Sequence, residues 1–113
     1  MKIQRLLLPF ALSLLLPALA LAGTASLKIL SPANDAQIDA GEPYPLQYEI
    51  TLGPGDDHFH VWVDGERSPG IHDLKGIYTL PKLTPGDHVI TLKMVDKGHV
   101  PTGPQTSIKV HVK

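Results

Sequence analysis

Proline and glycine interrupt this chain every few residues, eleven of one and ten of the other in 113. Between them the apolar side chains alternate instead of recurring at helical spacing. Both residues weaken a helix interior, and a period of two places successive side chains on opposite faces of an extended strand. Beyond residue 22 the pattern therefore predicts short strands joined by turns and no helix. Strands are expected at residues 26–30, near Gln37-Ile38, and over 44–52, where Leu46, Tyr48, Ile50 and Leu52 share one face. Others follow at 58–63, 77–80, 89–95 and 106–112, with Ile90, Leu92, Met94, Ile108, Val110 and Val112 inward. The segment from 66 to 75 reads as irregular, with at most a short edge strand, and 96–104 as a long loop. About seven strands in about 90 residues are the proportions of an immunoglobulin-like β-sandwich. A small open barrel is the runner-up.

The first 22 residues have a different character. Lys2 and Arg5 precede an apolar run over residues 6–21, and Ala20-Leu21-Ala22 places small residues where a signal peptidase reads them. Pro9 and Pro17 and the shortness of the run argue against a membrane anchor. The expected division is a signal peptide over 1–22 and one domain over 23–113, exported to the periplasm or secreted, with no transmembrane segment after cleavage. Without the signal's two basic residues the domain carries a formal charge of −3. No basic patch stands out, so nucleic acid is a poor candidate partner. The absence of cysteine removes disulfide staples, a thiol nucleophile and thiolate metal ligands together.

One series of residues resembles a known group. Ser31-Pro32, then His58-Phe59-His60-Val61-Trp62-Val63-Asp64-Gly65, Leu83-Thr84-Pro85-Gly86-Asp87-His88, Asp96 and His99 are similar to small exported bacterial immunoglobulin-like β-sandwich proteins of poorly characterised function with a His-x-His strand motif. The match lies chiefly within residues 58–99, about half of the exported part. It implies the fold and export, and no activity.

The chemistry must then come from the six histidines, all of them beyond residue 22. Residues i and i+2 of a strand point to the same side, about 6.5–7 Å apart along it, so His58 and His60 are spaced to converge on one metal ion. If strands 58–63 and 89–95 are antiparallel neighbours, with the last strand beside them, the loops before His58 and after Val95 meet at one end of the sandwich. That brings Asp57, Asp96 and His99 toward the pair. The expected metal ligands are therefore His58, His60, His99, Asp96 and Asp57. Nitrogen and oxygen donors without thiolate suit Cu(II) or Zn(II). His88 lies on the order of 20 Å from that end and reads as a corner residue bonding loop backbone. His111 alternates outward with Lys109 and Lys113 and reads as solvated. His72 has no evident place.

The strand 58–63 has two readings. With Phe59, Val61 and Val63 inward, the outer face shows His58, His60 and Trp62 beside Val89, Thr91, Lys93 and Val95. With Trp62 inward, both histidines would be buried at a desolvation cost. The first arrangement is favoured. The function expected is a small non-catalytic module binding Cu(II) or Zn(II). The alternative is a metal-independent module that binds an envelope protein or a glycan through the Trp62 face and the 96–104 loop. An enzyme is disfavoured, because no nucleophile and base form a motif and neither Ser68 nor Ser107 has one around it.

Overall fold

The structure is a computed structural model that describes residues 24–113; the expected signal peptide and its cleavage point lie outside the described residues. Eight strands follow one another: β1 (Ser26–Ser31), β2 (Ala36–Ile38), β3 (Tyr44–Thr51), β4 (His58–Val63), β5 (Glu66–Arg67), β6 (Lys75–Leu80), β7 (Gly86–Val95) and β8 (Pro101–Val112). Among the described residues there is no helix, and hence none long and apolar enough to cross a membrane. The strands form two sheets, β1-β3-β6 and β2-β8-β7-β4-β5, and the immunoglobulin-like sandwich expected from the strand pattern is the observed architecture.

The core sits where the period of two places it. Leu46, Tyr48 and Ile50 of β3 meet Phe59 and Val61 of β4, Ile90, Leu92 and Met94 of β7, and Val110 and Val112 of β8, all buried in one cluster. The Tyr48 and Phe59 rings pack edge to face with centroids 5.0 Å apart. Phe59 and Val61 thus point inward, as favoured, and Val63 packs half-buried against the same cluster. β4 and β7 are antiparallel neighbours in the register His58↔Val95 to Val63↔Ile90, and β8 lies on the other side of β7. The loops before His58 and after Val95 therefore meet at one end. Asp57 donates its backbone N–H to the Val95 carbonyl at 2.9 Å, and the Thr102 hydroxyl bonds the Asp56 carboxylate.

Two expectations of extent are corrected. The loop after β7 is short, because β8 already begins at Pro101 and absorbs residues 101–104 of the expected long loop. Prolines 101 and 104 made that stretch look unfit for a strand. They are tolerated because β2 pairs only with residues Val110 to Val112, so the first half of β8 is an edge where a missing N–H costs nothing. The second correction concerns the outer face of β4. His58 and His60 are only 2% and 1% exposed, and Val95 is buried beside them. After β5 the chain turns back along β4. Ser68 donates its N–H to the Val61 carbonyl, and Phe59 and Ile71 exchange both backbone bonds. Four residues, 68–71, span three of β4, and the resulting bulge carries Gly70 against the histidine rings.

His88 is the corner residue expected. One ring nitrogen bonds the Asp64 carboxylate and the other the Thr84 carbonyl at 2.7 Å. An acceptor at each nitrogen favours the imidazolium. The Asp64 carboxylate, and after it the Thr84 carbonyl, raise the His88 pKa against the effect of burial. Burial acts to raise Asp64, but His88 and the Val89 amide outweigh it and hold that carboxyl below its usual range. His111 is not simply solvated. It bonds Asp87 at 2.6 Å and Asp35 at 3.2 Å, and these two raise its pKa as well.

A raised histidine pKa stabilises the fold fully below the unfolded value near 6.5, and that stability is lost as pH climbs through the folded pKa. His60, whose pKa burial lowers, acts in the opposite sense, so the His88 share is read by difference: going from pH 6 to pH 8 is expected to lower the urea midpoint of wild type relative to that of His88→Gln. Equal pH dependence in both proteins would count against this account.

Candidate metal centre

Three imidazoles meet at the loop end of β4. His58 and His60 arrive from one strand face, and His99 reaches back from the turn between β7 and β8. His58 Nε2 and His60 Nε2 each lie 3.1 Å from His99 Nδ1, and the three nitrogens fall within 4.8 Å of one another. The far nitrogen of each strand histidine faces an acceptor. His58 Nδ1–H donates to the Asp57 carboxylate at 2.8 Å, and His60 Nδ1–H to the Ser68 carbonyl at 2.8 Å. A carboxylate or carbonyl oxygen can only accept from a ring nitrogen, so both Nδ1 atoms carry protons. In the neutral rings both Nε2 lone pairs are then free and aimed at the same point. Burial pushes His60 below the ordinary imidazole value, against the Ser68 carbonyl that favours the cation, with Arg67, His58 and His99 adding to the depression. The bond to His58 is the main cause that holds Asp57 below the usual carboxylate range.

Each part of this arrangement has a local origin. Ser68 is held by two bonds of its hydroxyl, which accepts the Val61 N–H at 2.9 Å and donates to the Pro69 carbonyl at 2.7 Å. Its own carbonyl is thereby fixed toward His60. Gly70 permits the close approach of the bulge: a Cβ there would stand 2.9 Å from His58 Cδ2 and 3.0 Å from His58 Nε2. His99 occupies the left-handed region at φ 65°, unusual for a residue with a Cβ. Asp96 sets that turn. Its carboxylate accepts the N–H groups of Gly98 at 2.8 Å and Val100 at 3.0 Å, and its backbone carbonyl accepts the His99 N–H at 3.0 Å.

The residues named from the sequence thus divide. His58, His60 and His99 converge. Asp57 meets His58 at Nδ1, on the opposite side of the ring from Nε2. A second group of converging donors, Asp57, His58 and His72, shares His58 with the first. Asp96 joins neither group among the described residues, because its carboxylate is committed to the loop backbone. His72, which the sequence left unplaced, stacks on His58 with centroids 4.6 Å apart and 25° between planes. Its Nδ1 is 3.9 Å from the Asp57 carboxylate. Ser68 and Gly70 were also missed. The available signal was the hairpin turn at Asp64-Gly65, which returns the following residues along β4 and lays a small, pattern-free Ser-Pro-Gly run beside the histidine pair.

Trp62 is half-buried, with the Lys93 ammonium 4.4 Å above its ring. Its indole N–H is buried and has no hydrogen-bond partner among the described residues. The lysine takes part of the tryptophan face, and Trp62 lies on the same side of β4 as His58 and His60.

No family model matches the chain, and no curated protein matches it. Among solved structures it is similar to the fibronectin(III)-like modules of Clostridium thermocellum CbhA, at 19% identity and a TM-score of 0.59, over 78% of this chain and 96% of the module. It also aligns with a lytic polysaccharide monooxygenase of Jonesia denitrificans, at 18% identity and a TM-score of 0.46, over 73% of this chain and 60% of that one. At 19% identity the first likeness concerns the fold alone, and it agrees with the two-sheet immunoglobulin-like sandwich described above.

Proposed function

We propose that this protein is an exported, non-catalytic module that binds one transition-metal ion, Cu(II) or Zn(II), through His58 Nε2, His60 Nε2 and His99 Nδ1. The observation that carries this reading is the directed pair of Nε2 lone pairs, each backed by an acceptor at Nδ1 and both aimed at His99 Nδ1. Backing acceptors of this kind fix the tautomer of a ligating histidine and raise its basicity. The two separations from His99 Nδ1 also fit. With metal–nitrogen bonds of about 2.0 Å, a 3.1 Å edge corresponds to an angle of about 100°, close to tetrahedral. In the free protein a single His99 N–H is left to serve two acceptors. An ion satisfies all three nitrogens, provided that His99 carries its proton on Nε2 of its exposed ring.

The strained turn at His99 gives the test. A left-handed residue with a Cβ costs on the order of 1 kcal/mol that glycine does not. His99→Gly is expected to lose Cu(II) and Zn(II) affinity by about 100-fold or more, while in the metal-free protein the relief of the turn offsets part of the cost of the partner lost to His58 and His60, so that stability changes by no more than about 2 kcal/mol. Calorimetric metal titration and urea unfolding of both proteins read the two effects. Full affinity without the His99 ring would end the proposal.

Gly70 supplies a second check from behind the rings. Gly70→Ala puts a methyl group against His58 Cδ2 and Nε2 at a position whose φ lies outside the left-handed region. The ring must turn, so affinity is expected to fall about 10–100-fold, the scale typical of disturbed supporting contacts. Fold stability should change by only about 1 kcal/mol.

A further inference from the structure

Resting on the metal-binding reading, we infer that the bound ion keeps one coordination position open toward solvent on the His99 side, and that a small monodentate anion occupies it. The protein provides three nitrogens, and both Cu(II) and Zn(II) require at least four donors. Among the described residues no fourth histidine or carboxylate atom converges with these three. The neighbouring donors are committed elsewhere. Asp57 holds the far side of the His58 ring, Asp96 holds the N–H groups of Gly98 and Val100, and the Ser68 hydroxyl and carbonyl serve Val61, Pro69 and His60. His72 lies face to face with His58, and its Nδ1 is turned to Asp57.

The walls decide where the opening lies. His58 and His60 are 2% and 1% exposed, and Gly70 closes the side from which a Cβ would intrude. His99 is the exposed member of the three, so the free position lies beside it. Lys97 is exposed in the same turn, two residues before His99, and it adds positive charge at the rim. The ion and Lys97 together favour an anionic donor such as a halide, a carboxylate or azide over a neutral one.

The experiment uses Cu(II)-loaded protein, with azide as the probe, on wild type and His72→Ala. Azide binding in wild type is expected to produce a new azide-to-copper charge-transfer absorption and a shifted copper EPR spectrum, saturating at one azide per copper and unchanged by His72→Ala. Copper bound at one equivalent with no azide response in wild type overturns the open position. A response that appears only in His72→Ala shows that His72 fills it, and overturns the inference in the same way. Failure to bind copper at all removes the metal-binding reading itself, and this inference with it.

Discussion

Replacing His58 and His60 together by alanine is expected to lower Cu(II) and Zn(II) affinity by about 1000-fold or more. Both nitrogens removed are direct ligands in the proposed centre, and losing even the supporting partner of such a ligand costs about 10–100-fold. What remains is His99 alone on an exposed turn, no better than a surface histidine. The measurement is a competition titration against a chelator of known affinity. Circular dichroism of the metal-free variant serves as the control, because both rings are buried and their removal also leaves the Ser68 carbonyl and the Asp57 carboxylate without their partners. A folded double variant that binds either metal as tightly as wild type would falsify the proposed centre.

The residue between them should behave in the opposite way. Phe59→Ala is expected to cost about 3–5 kcal/mol, the usual loss for emptying a buried phenylalanine site. Phe59 is fully buried, packs against Tyr48 and faces Met94 across the sheet. A domain of about 90 residues without a disulfide sits toward the low end of the 5–15 kcal/mol range of folding stability. The variant should therefore lose most of its stability, and its Tm should fall by roughly 15 °C or more. Urea and thermal unfolding read this directly. A loss below about 1 kcal/mol would mean that Phe59 does not anchor the core. The two experiments together separate the faces of one six-residue strand: Phe59 and Val61 pack the sandwich core, and His58 and His60 are the ligands of the proposed centre.

Much of this was legible in the residues themselves. Alternation in β3, β7 and β8 assigned the inward side chains correctly, because a strand's side-chain period does not depend on its neighbours. The strand order that follows from an immunoglobulin-like arrangement brought residues 57 and 99 to one end. His88 was placed at the opposite corner by strand length alone. Where the reading went astray, it did so at positions governed by backbone bonds. Asp96 looked like a ligand because it is a carboxylate near histidines, yet the N–H groups of Gly98 and Val100 claim it. The outer face of β4 looked exposed because nothing in residues 66–72 announces a strand, yet their main chain bonds Phe59 and Val61.

By itself the sequence determined the sandwich, the inward face of each main strand, and the shared side of His58 and His60. Periodicity is a local property, and it survives in any fold that accepts those strands. Only the tertiary structure decided that the histidine face is covered, that Ser68 and Asp57 orient its rings, and that a left-handed His99 completes the set. Those outcomes depend on which main-chain groups meet across distant segments. Every residue carries the same N–H and C=O, so side-chain identity leaves almost no trace of that choice.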